Sequence, residues 1–383
     1  MARRTALAVA VAVLAVTASL AASAGAGAAT VCSFDPTGSV TAHPDDAFNT
    51  LFRTYGDSNS SLDDWTGGDT TNSVPLPDGR DVWIFSDTFL GAVNPDYTRS
   101  DPSFVHNSLV VQSAAGVLGA TLHAGRYPHA KSLIQAPGEV EGDPPVGTTW
   151  YWVGDGTVEG SMLRVFALQF EKFGPGGFDF RWIGSSVASF SLPKLRLVSV
   201  TPVTSSNGVE YGSGLLEDGG YLYIYGTEDL GGDKYMHVAR APLGGLLGPW
   251  EYFSGTGWSN DPSQSLRLLH GVANEYSVTR VGAAYVLITN DTNVAFSRDI
   301  YAYVSCSPTG PWVGPTKLFT EPDYPFTNVI TYNAHAHPEL TANGELLISY
   351  NVNSLVFQDL MNDVHVYRPR FIRVQLPPIL TAP

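Results

Sequence analysis

The chain has 383 residues and a formal net charge of −15, with 15 % charged and 44 % hydrophobic residues. The acidic balance excludes nucleic acid and anionic membrane surfaces as partners, because both require a basic face. The two cysteines, Cys32 and Cys306, stand too far apart to form a metal-binding motif, so the core must hold mainly by packing.

In chain order, the first element is a processing signal. A basic MARR, the apolar run TALAVAVAVLAVTASLAA and the small residues AGAGAA make residues 1–28 a signal peptide, cleaved near Ala28. The mature chain is therefore expected to be secreted and extracellular, with no membrane association. Loss of Arg3 and Arg4 takes its charge from −15 to −17. Export permits a Cys32–Cys306 disulfide without requiring one. Residues 29–60 read as an N-terminal segment ahead of a single domain over residues 61–378.

After the signal the chain shows no sustained helical periodicity. It consists of short β-branched and aromatic runs broken by Gly, Pro, Asn and Asp, the pattern of an all-β fold. The runs recur as five units: GRDVWIFSDTF with HNSLVVQS, TTWYWVGDG with LRVFALQF, GGYLYIYGTED with KYMHVARAPLGGLLGPWEYF, GAAYVLITNDTN with IYAYVSCSPTGPWVGPTKLF, and GELLISYNVN with VHVYRPRFIRVQL. Units of four strands repeated radially make a five-bladed β-propeller; a β-sandwich with long loops is the alternative.

The first unit carries the sharpest chemical signal. In WTGGDTTNSVPLPDGRDVWIFSDTFLG, two strand-like arms flank the turn Pro77-Asp78-Gly79. That turn pairs Leu76 with Arg80, and the same register sets Asp69 opposite Asp87; a shorter turn or a bulge makes them diagonal neighbours. Like charges at such positions destabilise a sheet. Two carboxylates this close divide into a protonated and a charged group, the division that glycoside hydrolysis uses. Asp69 and Asp87 are therefore the candidate catalytic pair. Simple turn-capping and strand-ending roles, or a cation site, are the alternatives.

In a propeller the ends of separate blades converge on one face. Reading from each unit gives His106 and Asn107; Trp150, Trp152 and Asp155; Tyr211; Glu275 and Tyr276; and Asn333, His335 and His337. Of these, Asn107, Trp152, Tyr211, Glu275, Tyr276, Asn333, His335 and His337 are expected to bind substrate by hydrogen bonds and aromatic contact. Glu275, in the apolar setting GVANEYSV, would be costly if unpaired. His335 and His337 share one strand face, a spacing that also suits a metal. No cofactor is required, though a structural cation in the channel is compatible with the fold. No G-x-S-x-G elbow supports a serine hydrolase, and SPTGPW lacks the acid of a sialidase Asp box.

The segments GGDTTNSVPLPDGRDVWIFSDTFLG, HNSLVVQ, YWVGDG, NEYSV, SPTGPW and NAHAHPEL with GELLISYNVN together resemble the exported actinobacterial proteins grouped as domain of unknown function 4185, part of which forms glycoside hydrolase family 183, the endo-D-arabinanases. The resemblance covers about residues 60 to 375, and GEVEGDPPVGTTWYW stands out as an insertion. It implies a five-bladed propeller that cleaves α-linked D-arabinofuranosyl chains of mycobacterial arabinogalactan and lipoarabinomannan. The family's essential acids fall on Asp69 and Asp87. A monomer acting on a neutral polysaccharide is expected.

Overall fold

The computed structural model describes residues 30–203, 207–322 and 328–382, so the signal-peptide reading lies outside the described residues. Five antiparallel sheets follow one another along the chain. Blade 1 is built from Trp65–Pro75, Asp81–Leu90, Ser108–Gln112 and Leu118–Leu122. Blade 2 comprises Thr149–Glu159, Met162–Lys172, Phe180–Ser191 and Arg196–Val203. Blade 3 begins with Glu210–Asp218, Tyr221–Asp229 and Lys234–Pro242, and blade 4 with Ser277–Val281, Ala284–Asn290 and Asp299–Ser305. Blade 5 holds Val329–Ala342, Glu345–Ser354 and Arg370–Gln375. The five repeats in the sequence are these five blades.

Packing explains why the strands read as near-continuous apolar runs. Each blade buries both faces against its neighbours. Val74, Val82 and Ile84 meet Val153, Leu163 and Val165 between blades 1 and 2. Phe166 and Val187 meet Tyr211 and Ile224 between blades 2 and 3. Tyr225 and Val238 meet Tyr276 and Leu287 between blades 3 and 4, and Val286 and Ile288 meet Ala336 and Ile348 between blades 4 and 5. The ring closes where Trp65, Trp83 and Phe85 of blade 1 meet Leu347 and Phe371 of blade 5.

Two features of the N-terminal segment depart from the sequence reading. Thr41–Pro44 is the outer strand of blade 5, pairing Ala42 with Val374 and Pro44 with Ile372. The segment thus belongs to the propeller, and Pro44 is tolerated because this is an edge strand. The helix Asp46–Gly56 follows, capped by Asp45 Oδ1, which accepts from the Phe48 N–H at 2.9 Å. Its Phe52 is buried against Trp65, Trp83 and Phe371 in the closing seam. Among the described residues no helix is long and apolar enough to cross a membrane.

Cys32 and Cys306 form a disulfide. It ties Val31–Phe34, which pairs with Ile379–Ala382, to the end of the third strand of blade 4. The bond closes a loop of 274 positions and fastens the N-terminal strand onto blade 4. Cys306→Ser should therefore cost roughly 3–5 kcal/mol of unfolding free energy, read as a lower urea midpoint; an unchanged midpoint would show that packing and strand pairing alone hold the N-terminal strand in place.

Candidate active site

The blade 1 hairpin forms in the expected register. Across the Pro77-Asp78-Gly79 turn, the Leu76 N–H donates to Arg80 O at 2.7 Å, and Gly79 takes a positive φ of 84°. Val74 pairs with Val82, Asn72 with Ile84 and, farther along, Gly68 with Thr88. Between the last two pairs the ladder breaks. Bulges flank Thr70, and Thr70 and Thr71 adopt φ values of 73° and 62°. The left-handed region is strained for β-branched residues and persists only where surroundings enforce it. Here Thr70 Oγ1 donates to Ser86 Oγ at 2.7 Å, and Asn351 Nδ2 donates to Thr71 Oγ1 at 2.8 Å. The bulge removes Asp69 and Asp87 from the ladder and frees both side chains. Gly67 completes the arrangement: a Cβ there would collide with the Tyr367 carbonyl oxygen, so its absence lets Tyr367 approach.

The two acids have different surroundings. Tyr332 donates its hydroxyl to Asp69 Oδ2 at 2.7 Å and is itself held by Asn353 Nδ2 at 3.0 Å. The Tyr367 hydroxyl also faces this carboxyl. Asp69 Oδ1 is shielded from solvent without a hydrogen bond of normal geometry. Burial, reinforced by the charge of Asp87, pushes Asp69 up to about 7, against the opposing pull of the two tyrosines. Tyr332→Phe should therefore raise Asp69 further, measurable as a later carboxyl titration by 13C NMR; a fall would show that the hydroxyl favours the protonated form.

Asp87 is held from the other side. Its Oδ1 accepts from His106 Nδ1 at 2.9 Å and from Trp152 Nε1 at 2.7 Å, while the side chain stays 19 % exposed. His106 Nε2 faces the Val140 carbonyl at 3.3 Å, so both ring nitrogens meet acceptors, an arrangement that favours the protonated ring. Burial opposes that charge, but Asp87, Glu139 and Glu141 outweigh it and raise the histidine. Asp87 thus lies between the His106 ring and the Trp152 indole donor, beside the more deeply buried Asp69 carboxyl.

Glu275 joins them from blade 4. Its Oε1 accepts from Asn333 Nδ2 at 2.8 Å and lies 3.2 Å from Thr70 Oγ1, while Oε2 is shielded and unpartnered. Burial, and after it the neighbouring Asp69, raise it well above the usual carboxylate range.

The structure brings together Asp69, Asp87, Trp152, Glu275 and Asn333, with His106 behind them. It corrects the substrate-binding assignment for four others, each buried with its polar atoms satisfied inside the blades. Asn107 bonds to Ile134 and Tyr151 carbonyls at 2.8 and 2.9 Å. Tyr211 reaches Ser265 Oγ at 3.0 Å, and Tyr276 donates to Gly226 O at 2.9 Å. His337 lies between Ser73 and Ser349 at 2.6 and 2.8 Å, packed against Trp83. His335 is also buried, and burial pushes it down to about 4. With both His337 nitrogens taken by serines, the two histidines make no metal pair. Asp155 cross-links blades 2 and 3, accepting from the Leu215 N–H at 2.7 Å.

Among the described residues, one grouping has the chemistry of a cation site. His106, Glu139 and Glu141 place ligand atoms within 4.8 Å of one another. Their bonds point to a structural role: Glu141 accepts from the Ser132 N–H and hydroxyl, both at 2.8 Å, and Glu139 from the Ala136 N–H at 2.6 Å. Both glutamates come from the GEVEG insertion and supply counter-charge to His106. The sequence reading missed Tyr332 and Tyr367. Tyr332 adjoins the recognised Asn333, whereas Tyr367 carries no local signal.

No curated protein matches this sequence. A solved structure of a candidate hydrolase from Bacteroides ovatus is 26 % identical with a TM-score of 0.73, covering 90 % of this chain and 93 % of that one. A family 43 β-xylosidase/α-arabinofuranosidase from a compost metagenome is 13 % identical with a TM-score of 0.44, covering 85 % and 95 %. A family 62 α-L-arabinofuranosidase from Coprinopsis cinerea is 10 % identical with a TM-score of 0.45, covering 84 % and 92 %. The model of the family described as "Domain of unknown function (DUF5005)" matches residues 45–376, and the chain belongs to that family.

Proposed function

We propose that this protein is an exported glycoside hydrolase that cleaves α-D-arabinofuranosyl linkages within D-arabinan, using Asp69 as proton donor and Asp87 as nucleophile or base. One observation carries the reading: Asp69, a buried carboxyl pushed up to about 7, adjoins Asp87, whose Oδ1 is gripped by the His106 ring and the Trp152 indole. Asp69 gives its proton to the glycosidic oxygen as the bond from that oxygen to the anomeric carbon breaks. Asp87 either attacks that carbon or takes a proton from the attacking water. Glu275, raised well above the usual carboxylate range and with Oε2 unpartnered, is placed to donate a hydrogen bond to a substrate hydroxyl.

The choice of D-arabinan is supported by the likeness of the first hairpin to the endo-D-arabinanases. A neutral polymer also suits a protein with a charge of −15, which would repel an anionic one. Incubation with arabinan from mycobacterial arabinogalactan should release oligosaccharides, while L-arabinan in parallel should stay intact. Release from L-arabinan alone would redirect the substrate assignment. Tight binding without products over long incubation would mark a non-catalytic glycan binder.

A further inference from the structure

A row of aromatic rings leads outward from the acids. Trp152, whose Nε1 holds Asp87, packs against Phe180 at 4.8 Å between ring centroids. Phe180 lies 6.5 Å from Phe178, and Phe178 lies 6.5 Å from Phe296 with the rings inclined at 50°. Exposure grows along the row: the first two rings are half-buried, whereas Phe178 and Phe296 are 64 % and 53 % exposed.

The two outer rings come from loops with the same place in different blades. Phe178 follows the second strand of blade 2, and Phe296 follows the second strand of blade 4. Asp87 lies near the end of the second strand of blade 1, so all three share one face of the propeller. Blade 3 stands between blades 2 and 4, and its corresponding turn is short, closed by the Leu230 N–H to Asp233 O at 2.9 Å. The two longer loops therefore meet over the mouth face.

Their shape is specified. In the first, the Phe173 N–H donates to Asp179 O at 2.9 Å, the Gly176 N–H to Asp179 Oδ2 at 2.7 Å, and Lys172 Nζ to Gly176 O at 2.8 Å. In the second, Asp291 pairs back to Asp299 and accepts from the Asn293 N–H at 2.9 Å, while Phe296 is held at a φ of 54°. Bonded loops that present large apolar rings to water indicate an interaction site. Continuity with Trp152 and Asp87 identifies the occupant as the glycan itself, whose C–H faces pack on aromatic rings.

We infer that Phe178 and Phe296 form an outlying sugar subsite that holds the polysaccharide several units away from the bond being cleaved. The inference rests on the glycan-hydrolase reading and adds to it a requirement for chain length. Phe178→Ala, Phe296→Ala and the double variant alter exposed side chains, so folding can be checked by unchanged thermal melting. On polymeric D-arabinan the double variant should show KM raised about tenfold with kcat within about twofold. On a short aryl arabinofuranoside that reaches only the acids, it should match the wild type. An unchanged KM on the polymer would overturn the subsite.

Affinity electrophoresis in gels containing soluble arabinan, xylan or galactan tests the subsite without relying on catalysis. Retardation of the wild type by one of these polymers and its loss in the double variant support the inference, even if D-arabinan is not the chain cleaved. Equal migration of the two proteins in every gel overturns it. A dimer in size-exclusion chromatography that the double variant abolishes, with no retardation by glycan, would assign the rings to self-association and also overturn it.

Discussion

Asp87→Asn should lower kcat/KM on D-arabinan by at least about a thousandfold, near the upper range for removal of an acid–base or nucleophilic group, while leaving the fold intact. The amide keeps the shape of the carboxylate, and its oxygen can still accept from His106 and Trp152. The negative charge is lost, and with it attack on the anomeric carbon or activation of water. Asp69→Asn should cost about 10²–10⁴ for a different reason: Tyr332 still has an oxygen to bond, but no proton is available for the leaving group. The two roles separate on an aryl glycoside whose leaving group departs unprotonated. There Asp69→Asn should recover much of its activity and Asp87→Asn should recover none. If both variants stay within tenfold of the wild type on polymer, measured by released reducing ends, the carboxyl pair is not the catalytic one.

The second large effect concerns pH. Asp69 must be protonated to act as the acid, and its ionisation lies near 7 in the fold instead of the usual 3.8. The protonated fraction therefore falls as pH rises through about 7. Above that, kcat/KM should drop about tenfold per unit, because this parameter follows the free enzyme. Initial rates from pH 4 to 9 at substrate concentrations well below KM give the profile. A rate flat to pH 9 would remove Asp69 from the role of proton donor.

Much of the architecture was legible because propeller blades bury both faces. Runs such as VWIF, LYIY and YVLIT repeat once per blade, and counting them counts the blades. The hairpin register was among those the turn allowed. Other features depend on contacts between distant parts of the chain. TAHP carries no strand signal, and becomes one only where the third strand of blade 5 offers an open edge. The helix Asp46–Gly56 was overlooked although Phe48, Leu51, Phe52 and Tyr55 repeat at helical spacing behind the Asp45 cap.

The site was partly legible for the same physical reasons. Asp69 and Asp87 were marked as candidates by the unfavourable pairing of like charges that the turn register implied. The Thr70-Thr71 bulge that separates them could not be read, since β-branched residues argue against a left-handed backbone. Tyr332 reaches Asp69 across 263 positions, a contact set by ring closure. Polar residues at blade starts were overassigned to substrate because Asn107, Tyr211, Tyr276 and His337 look like site residues but bond within or between blades.

Carbon-13 NMR of the aspartate carboxyls, followed from pH 3 to 9, examines the proton that this chemistry depends on. In the wild type one aspartate, lost from the spectrum in Asp69→Asn, should titrate near 7, and in Asp87→Asn the same resonance should shift to lower pH as the neighbouring charge disappears. Titration of Asp69 near 4, unmoved by the Asp87 substitution, would contradict the account.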